Sequence, residues 1–178
     1  MVKEAMDIVR QQGMKKEYTS KDETPIETVI ECLAQIVFDK KNDLVIDAGS
    51  GKNEIWYKNI PTDMKIAIEI DNGCDFLTYN EKTDWVVGNP PFHEWLLFLF
   101  HSVEISNKGI GFLINHTRLN QLTPHRLNKL KEKGFYLNHI HIIEVKKWFG
   151  RYYFLIFTKD QSKSITWKGV KCRNSSHT

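Results

Sequence analysis

Cysteine is scarce: Cys32, Cys74 and Cys172 are the three in 178 residues, and no two form a C-x-x-C pair. That argues against a disulfide scaffold and a thiolate zinc site, and it suits a reducing, cytoplasmic setting. No apolar run approaches the roughly 18 residues of a membrane span. Trp95 to Phe100, as long as any, reads as a buried helix segment, so no membrane partner is expected. The N-terminus carries Lys3, Glu4, Asp7 and Arg10 where a secretory signal needs an apolar stretch. Internal repeats and low-complexity linkers are absent. What is present is 41% hydrophobic and 26% charged, enough to bury one core of ordinary size.

Acidic residues are also scarce, but only in the second half. Residues 1–107 hold 11 Lys/Arg against 19 Asp/Glu, a net of −8. Residues 108–178 hold 14 against 3, a net of +11. A half-chain that basic suits a polyanion partner, nucleic acid first, or else a solvated basic surface.

Between polar ends the pattern alternates strand and helix. Thr24-Pro25-Ile26-Glu27 predicts a helix start, with Thr24 capping, Pro25 in the first turn and Glu27 closing a capping box. Ile26, Val29, Ile30, Leu33 and Val37 then follow helical spacing. Strands are predicted at Leu44–Ile46, Ile66–Ile68, Trp85–Val87 and Ile110–Ile114. Helices are predicted to about Lys58, from Glu94 to Ser106, and from Thr123 to Gly134. Ile140–Val145 and Tyr152–Phe157 read as a closing hairpin. The implied class is α/β, a mostly parallel twisted sheet with a C-terminal antiparallel hairpin.

In such sheets ligands sit outside the carboxyl ends of the strands. Three polar clusters fall there. Asp47-Ala48-Gly49-Ser50-Gly51 allows a tight turn and close approach of a ligand to the backbone, though an ordinary strand-to-helix turn would look the same. It is not a phosphate-binding P-loop, because G-x-x-x-x-G-K-[ST] is missing. Glu69 and Asp71 end the second strand, where a carboxylate suits ribose hydroxyls. Asn89-Pro90-Pro91-Phe92 ends the third. A fixed four-residue match of that kind is expected on the order of once in a thousand chains of this size. Its two prolines fix the backbone and remove two N–H donors. Carbonyl acceptors beside a flat ring could hold a planar group that carries an amine.

Val86-Val87-Gly88-Asn89-Pro90-Pro91-Phe92 resembles the catalytic motif of S-adenosylmethionine-dependent amino methyltransferases. The order of motifs resembles the small gamma-type DNA adenine N6-methyltransferases. The resemblance spans roughly residues 18 to 158. It implies a Rossmann-like class I methyltransferase fold, S-adenosyl-L-methionine as cofactor, no metal, and catalysis by Asn89, Pro90, Pro91 and Phe92. Asp47, Gly49 and Gly51 resemble the methionine-binding loop, and Glu69 the ribose-binding acid with Asp71 beside it. Asp75 and Phe76 are similar to the pair that holds and stacks on the cofactor adenine. Tyr18, Thr24 and Pro25 are similar to the segment that caps the methionine end, and Asn89 also faces the cofactor. The implied substrate is the exocyclic amine of a nucleic-acid base, adenine N6 in DNA ahead of adenine N6 or guanine N2 in RNA. A non-catalytic subunit of the same fold is the alternative from another class.

Asn53 stands where a third glycine is common, and Asn tolerates a left-handed backbone. Only five residues separate Glu69 from Asp75, so the sheet is expected to be trimmed at the edge beyond the second strand. The expected layout is an extension over 1–17, one domain over 18–167 and a polar tail over 168–178. No separate target-recognition domain is expected after the core, and target reading is then expected to fall to a second copy or a partner subunit. The candidate nucleic-acid contacts are Arg118, Arg126, Lys129, Lys146, Lys147 and Arg151. Trp148 and Phe149 lie among the last three, and Tyr152 follows them.

Overall fold

Six strands form one sheet: β1 (Leu44–Ala48), β2 (Met64–Ile68), β3 (Thr83–Gly88), β4 (Ser106–Asn115), β5 (Tyr136–Glu144) and β6 (Arg151–Thr158). The computed structural model describes residues 23–161 together with 165 and 166. Tyr18, Cys172, the 1–17 extension and the 168–178 tail lie outside the described residues.

The strand order is β2-β1-β3-β4-β6-β5. β1 runs parallel to β2 and β3, and β3 parallel to β4. β6 is antiparallel to both β4 and β5. This is the expected sheet with its closing hairpin, and it is trimmed as expected. β2 is the edge strand, and only two 3-10 turns, Ile70–Asn72 and Phe76–Thr78, connect it to β3. The chain leaves β1 toward β2 and returns on the other side to β3, so the order reverses between β1 and β3. That switch point is where an open α/β sheet forms its crevice.

Each strand sends alternate side chains to opposite faces. Ile46, Ile110, Phe112 and Phe157 pack under α3 (Trp95–Ile105) and α5 (Pro124–Glu132) through Trp95, Leu99, Leu127 and Leu130. Val45, Val87, Leu113 and Phe154 pack under α1 (Ile26–Leu33) and α2 (Ile55–Asn59) through Val29, Leu33 and Trp56. A short α4 (His116–Leu119) follows β4. α3 buries one face, Trp95, Phe98, Leu99, Ser102 and Val103 with Ile105 at its end, while Leu96, Leu97 and Phe100 are half-buried beside it. Among the described residues no helix is long and apolar enough to cross a membrane.

Two expectations fail at α1. The helix ends at Leu33, and it buries Thr28, Val29, Cys32 and Leu33 while Ile26 and Ile30 stay exposed and Val37 is 94% exposed. The true buried stripe is offset from the predicted one. In addition, Pro25 takes the N-cap position with no side-chain capping bond. Thr24 does not cap because its hydroxyl is engaged at the sheet edge.

Candidate active site

The loop after β1 is stitched to the end of β2. Gly49 N and Ser50 N both donate to the Ile68 carbonyl, at 2.9 and 3.0 Å. Gly51 N donates to Glu69 Oε2 at 2.7 Å, and Asp71 N donates to Glu69 Oε1 at 3.4 Å. Gly49 and Gly51 have φ of 73° and 66°, which side chains resist, so the glycines permit this turn. Glu54, with φ 53°, is the left-handed residue that follows, not Asn53 as expected. Asn53 instead donates through its side chain to Glu23.

Asp47 lies beneath the loop with its carboxylate fully buried. Oδ2 accepts from Tyr57 N at 2.9 Å, and Oδ1 has no partner among the described residues. Burial pushes its pKa up to about 8; the Tyr57 N–H opposes this, and Glu69 and Glu54 add to it. The expected cofactor residue Asp47 thus sits under the loop and holds α2.

The turn after β3 approaches from the other side. Gly88 has φ 148°, and a Cβ there would stand 2.9 Å from the Ala48 carbonyl oxygen and 3.2 Å from Asp47 Oδ1. Only glycine lets the end of β3 close on β1. Asn89 Nδ2 then donates to Thr24 Oγ1 at 3.2 Å. Trp56 Nε1 donates to the same hydroxyl at 3.1 Å. Asn89 Oδ1 is buried with no partner among the described residues, an acceptor held without its donor. Pro90 is buried, and Pro91 accepts from Glu94 N at 2.9 Å, which starts α3. Phe92 is half-buried with its ring centre 6.4 Å from Tyr152, and Tyr152 meets Trp148 at 4.9 Å. Thr24, Gly49, Ser50, Gly51, Trp56 and Asn89 line one cleft, where Ser50 Oγ is a second buried group without a partner among the described residues.

The adenine-side expectations divide. Asp75 Oδ1 accepts from Leu77 N at 3.0 Å, and Asp71 is exposed in its 3-10 turn. Phe76 is a correction. It is 2% exposed, stacked on Phe98 at 4.8 Å and edge-on to His101, so its faces are taken by the core. Ile70, 57% exposed beside Glu69, presents the apolar surface at that strand end. Sequence reasoning missed Ile70 and Trp56. An isoleucine in a polar turn was the available signal for the first. Nothing local marks the second.

The basic candidates do not form one patch. Register places Asn115 opposite Tyr152 and Glu144 opposite Arg151, so the 145–150 turn lies at the carboxyl edge of the parallel strands. Lys146 and Arg151 are exposed there, and Lys147 Nζ donates to the Glu23 carbonyl at 3.0 Å. Arg118 follows β4 at the same edge, half-buried, its Nε without a partner among the described residues. Arg126 donates to the Gln121 carbonyl at 2.7 Å and so braces the turn before α5. Lys129 is exposed on α5. Lys133, further along, pairs at 3.1 Å with Glu104 near the far end of α3. Among the described residues no group of three or more His, Cys, Asp or Glu could hold a metal ion.

No family model matches the chain, and no curated protein does. Solved structures do. A candidate RNA methyltransferase from Pyrococcus horikoshii superposes with a TM-score of 0.61 at 18% identity, covering 86% of this chain and 97% of that one. A candidate class I S-adenosylmethionine-dependent methyltransferase from Listeria monocytogenes gives 0.62 at 13% identity, covering 93% and 69%. Magnesium protoporphyrin IX methyltransferase from Synechocystis, with bound S-adenosylhomocysteine, gives 0.52 at 12% identity, covering 88% and 94%. The mixed six-stranded sheet is therefore the Rossmann-like fold of the class I methyltransferases, with Asn89 and the glycine loop at its switch point.

Proposed function

We propose that this chain transfers a methyl group from S-adenosyl-L-methionine to the exocyclic amine of a nucleic-acid base, adenine N6 in DNA first. The observation that carries the reading is Asn89 Oδ1: a buried acceptor without a donor among the described residues, held at the switch point of a methyltransferase fold. Fold alone would not assign the chemistry. Structures of this fold carry the cofactor or its product, as in the Synechocystis enzyme.

The residues present fit the cofactor. The left-handed Gly49 and Gly51 bring backbone close to the cleft, and Ser50 Oγ and Asn89 Oδ1 offer polar atoms that lack partners among the described residues. Glu69 keeps further lone pairs for ribose hydroxyls after accepting from Gly51 and Asp71. Ile70 offers an apolar face beside it. Thr24 and Pro25 border the methionine end.

Bound there, S-adenosylmethionine supplies a methyl group already activated by its sulfonium charge. The chain's task is to position and polarise the amine. Asn89 Oδ1 and the Pro90 carbonyl accept the two amine hydrogens, which draws electron density onto nitrogen and biases it toward sp3 geometry. Thr24 and Trp56 fix the Asn89 amide, so little reorganisation remains at the moment of attack. Phe92, backed by Tyr152, offers a ring edge and face to the base. Lys146, Arg151 and Arg118 surround this edge with positive charge suited to a phosphate backbone. A base in a duplex must leave its stack to reach Asn89.

An RNA base is the second reading, favoured because one structural neighbour is described as a candidate RNA methyltransferase. The test is mass spectrometry of digested nucleosides after incubation with isotope-labelled cofactor and either DNA or RNA. Labelled N6-methyldeoxyadenosine is the expected product. Label in RNA nucleosides alone moves the substrate to RNA, and label in neither overturns the nucleic-acid reading.

A further inference from the structure

The 145–150 turn holds the most exposed aromatic ring of the described residues, and it stands at the catalytic edge. Phe149 is 97% exposed, although burying such a ring is worth about 1.5–3 kcal/mol. Its neighbour Trp148 behaves oppositely, folding back to 4.9 Å from Tyr152. The turn is braced on several sides. Trp148 N donates to the Val145 carbonyl at 2.9 Å, and Lys147 reaches the Glu23 carbonyl at 3.0 Å. Gly150, at φ 92°, lies so close to His116 that a Cβ would meet the imidazole at 2.9 Å. Rings connect the base of the turn to the catalytic loop, Trp148 to Tyr152 to Phe92. Exposed Lys146 and Arg151 flank the bare ring.

We infer that Phe149 is a wedge for base-paired nucleic acid, DNA duplex first, entering the base stack as the target base leaves it for the Asn89 site. The inference rests on the proposed function and deepens it. Chemistry at Asn89 requires an extruded base, and extrusion leaves a gap in the stack that costs stacking energy. Apolar side chains inserted between base steps offset such unstacking. A lone ring between two cations matches the target, because the phosphates lie outside and the stack lies between them. The brace to Phe92 and Glu23 keeps the wedge at a fixed position relative to the cleft. Nothing of this kind is needed for a base presented in a single strand.

The test is fluorescence anisotropy with the full chain and three oligonucleotides of one sequence: single strand, intact duplex, and duplex with a central abasic site. A wedge finds the abasic gap already open, so the wild-type protein should bind that duplex about fivefold or more tighter than the intact one. Phe149→Ala should bring the ratio close to one and leave single-strand binding within about twofold. Phe149→Tyr should restore the ratio, since a ring is what the gap accepts. Lys146→Ala should weaken both duplexes alike and keep the ratio. An RNA duplex with the same gap separates the two nucleic acids. A ratio near one in the wild type, or a ratio that survives Phe149→Ala, overturns the wedge while the methylation reading stands. A dimer in sedimentation that Phe149→Ala dissolves also overturns it, because the ring then serves a second copy. Absence of binding to all oligonucleotides at low salt removes the wedge and the nucleic-acid reading together.

Discussion

Asn89 Nδ2 donates to Thr24 Oγ1 at 3.2 Å, a contact that joins two residues 65 positions apart. It brings the segment before α1 to the turn after β3, and Trp56 Nε1 completes it from α2 at 3.1 Å. Three separate elements thus meet on one hydroxyl. The amide they hold leaves Oδ1 as the buried acceptor.

Trp56→Phe keeps one aromatic ring but removes the indole donor together with the pyrrole half of the side chain, so it also loosens buried packing against Phe154. The lost hydrogen bond is worth about 0.5–1.5 kcal/mol, so turnover should fall by roughly two- to tenfold through a looser Asn89. Steady-state kinetics should place the loss in kcat, with KM for the cofactor nearly unchanged. A loss confined to KM would assign Thr24 and Trp56 to cofactor binding alone.

Glu69→Ala should weaken S-adenosylmethionine binding by about 1.5–3 kcal/mol, the range for charge-assisted hydrogen bonds. Part of that loss comes through the loop, because Glu69 also accepts from Gly51 N at 2.7 Å. Glu69→Gln keeps one acceptor and should lose less. Isothermal calorimetry reads both. Intact binding in the alanine variant would move the ribose contact to Asp71.

Asp47 gives a pH dependence of unusual sign. Its folded pKa is raised to about 8 from the ordinary aspartate value of 3.8, so the folded chain holds this proton where the unfolded chain has lost it. The group's contribution is therefore fully present below about pH 4 and is lost as pH rises toward and through 8. Asp47→Asn cannot ionise and can still accept from Tyr57 N. The difference in Tm, variant minus wild type, should therefore grow between pH 5 and pH 9. A difference that is flat or shrinks over that range contradicts the burial argument.

Lys146→Ala with Arg151→Ala should flatten the slope of log affinity against log salt by up to about two units in oligonucleotide binding. Lys133→Ala should leave the slope unchanged, because that lysine pairs with Glu104 away from the cleft. Equal effects from both sets would mean a diffuse cationic surface rather than an edge that tracks phosphates.

Much of this was legible in the sequence. Short apolar runs that end in polar turns, glycines after β1 and the prolines after β3 are local signals, so the sheet, its trimmed edge and the Asn89 turn could be read directly. Errors arose where tertiary contacts outweighed local pattern. Thr24 has the sequence of a helix cap, yet Trp56 and Asn89 compete for its hydroxyl. Phe76 follows Asp75 as an adenine platform would, yet Phe98 takes its ring. Charge counting found the basic half but not its division, since a sum carries no geometry. Lys146 and Arg151 are exposed at the carboxyl edge of the sheet, while Arg126 braces a turn.

The central claim is that Asn89 serves the transfer step rather than the binding of the cofactor. The direct measurement is labelled methyl transfer to nucleic acid by wild type and Asn89→Ala, with cofactor affinity taken by calorimetry on the same samples. The account predicts a loss of about a hundredfold or more in turnover, with cofactor affinity within a few-fold of wild type. Unchanged turnover in Asn89→Ala would contradict it.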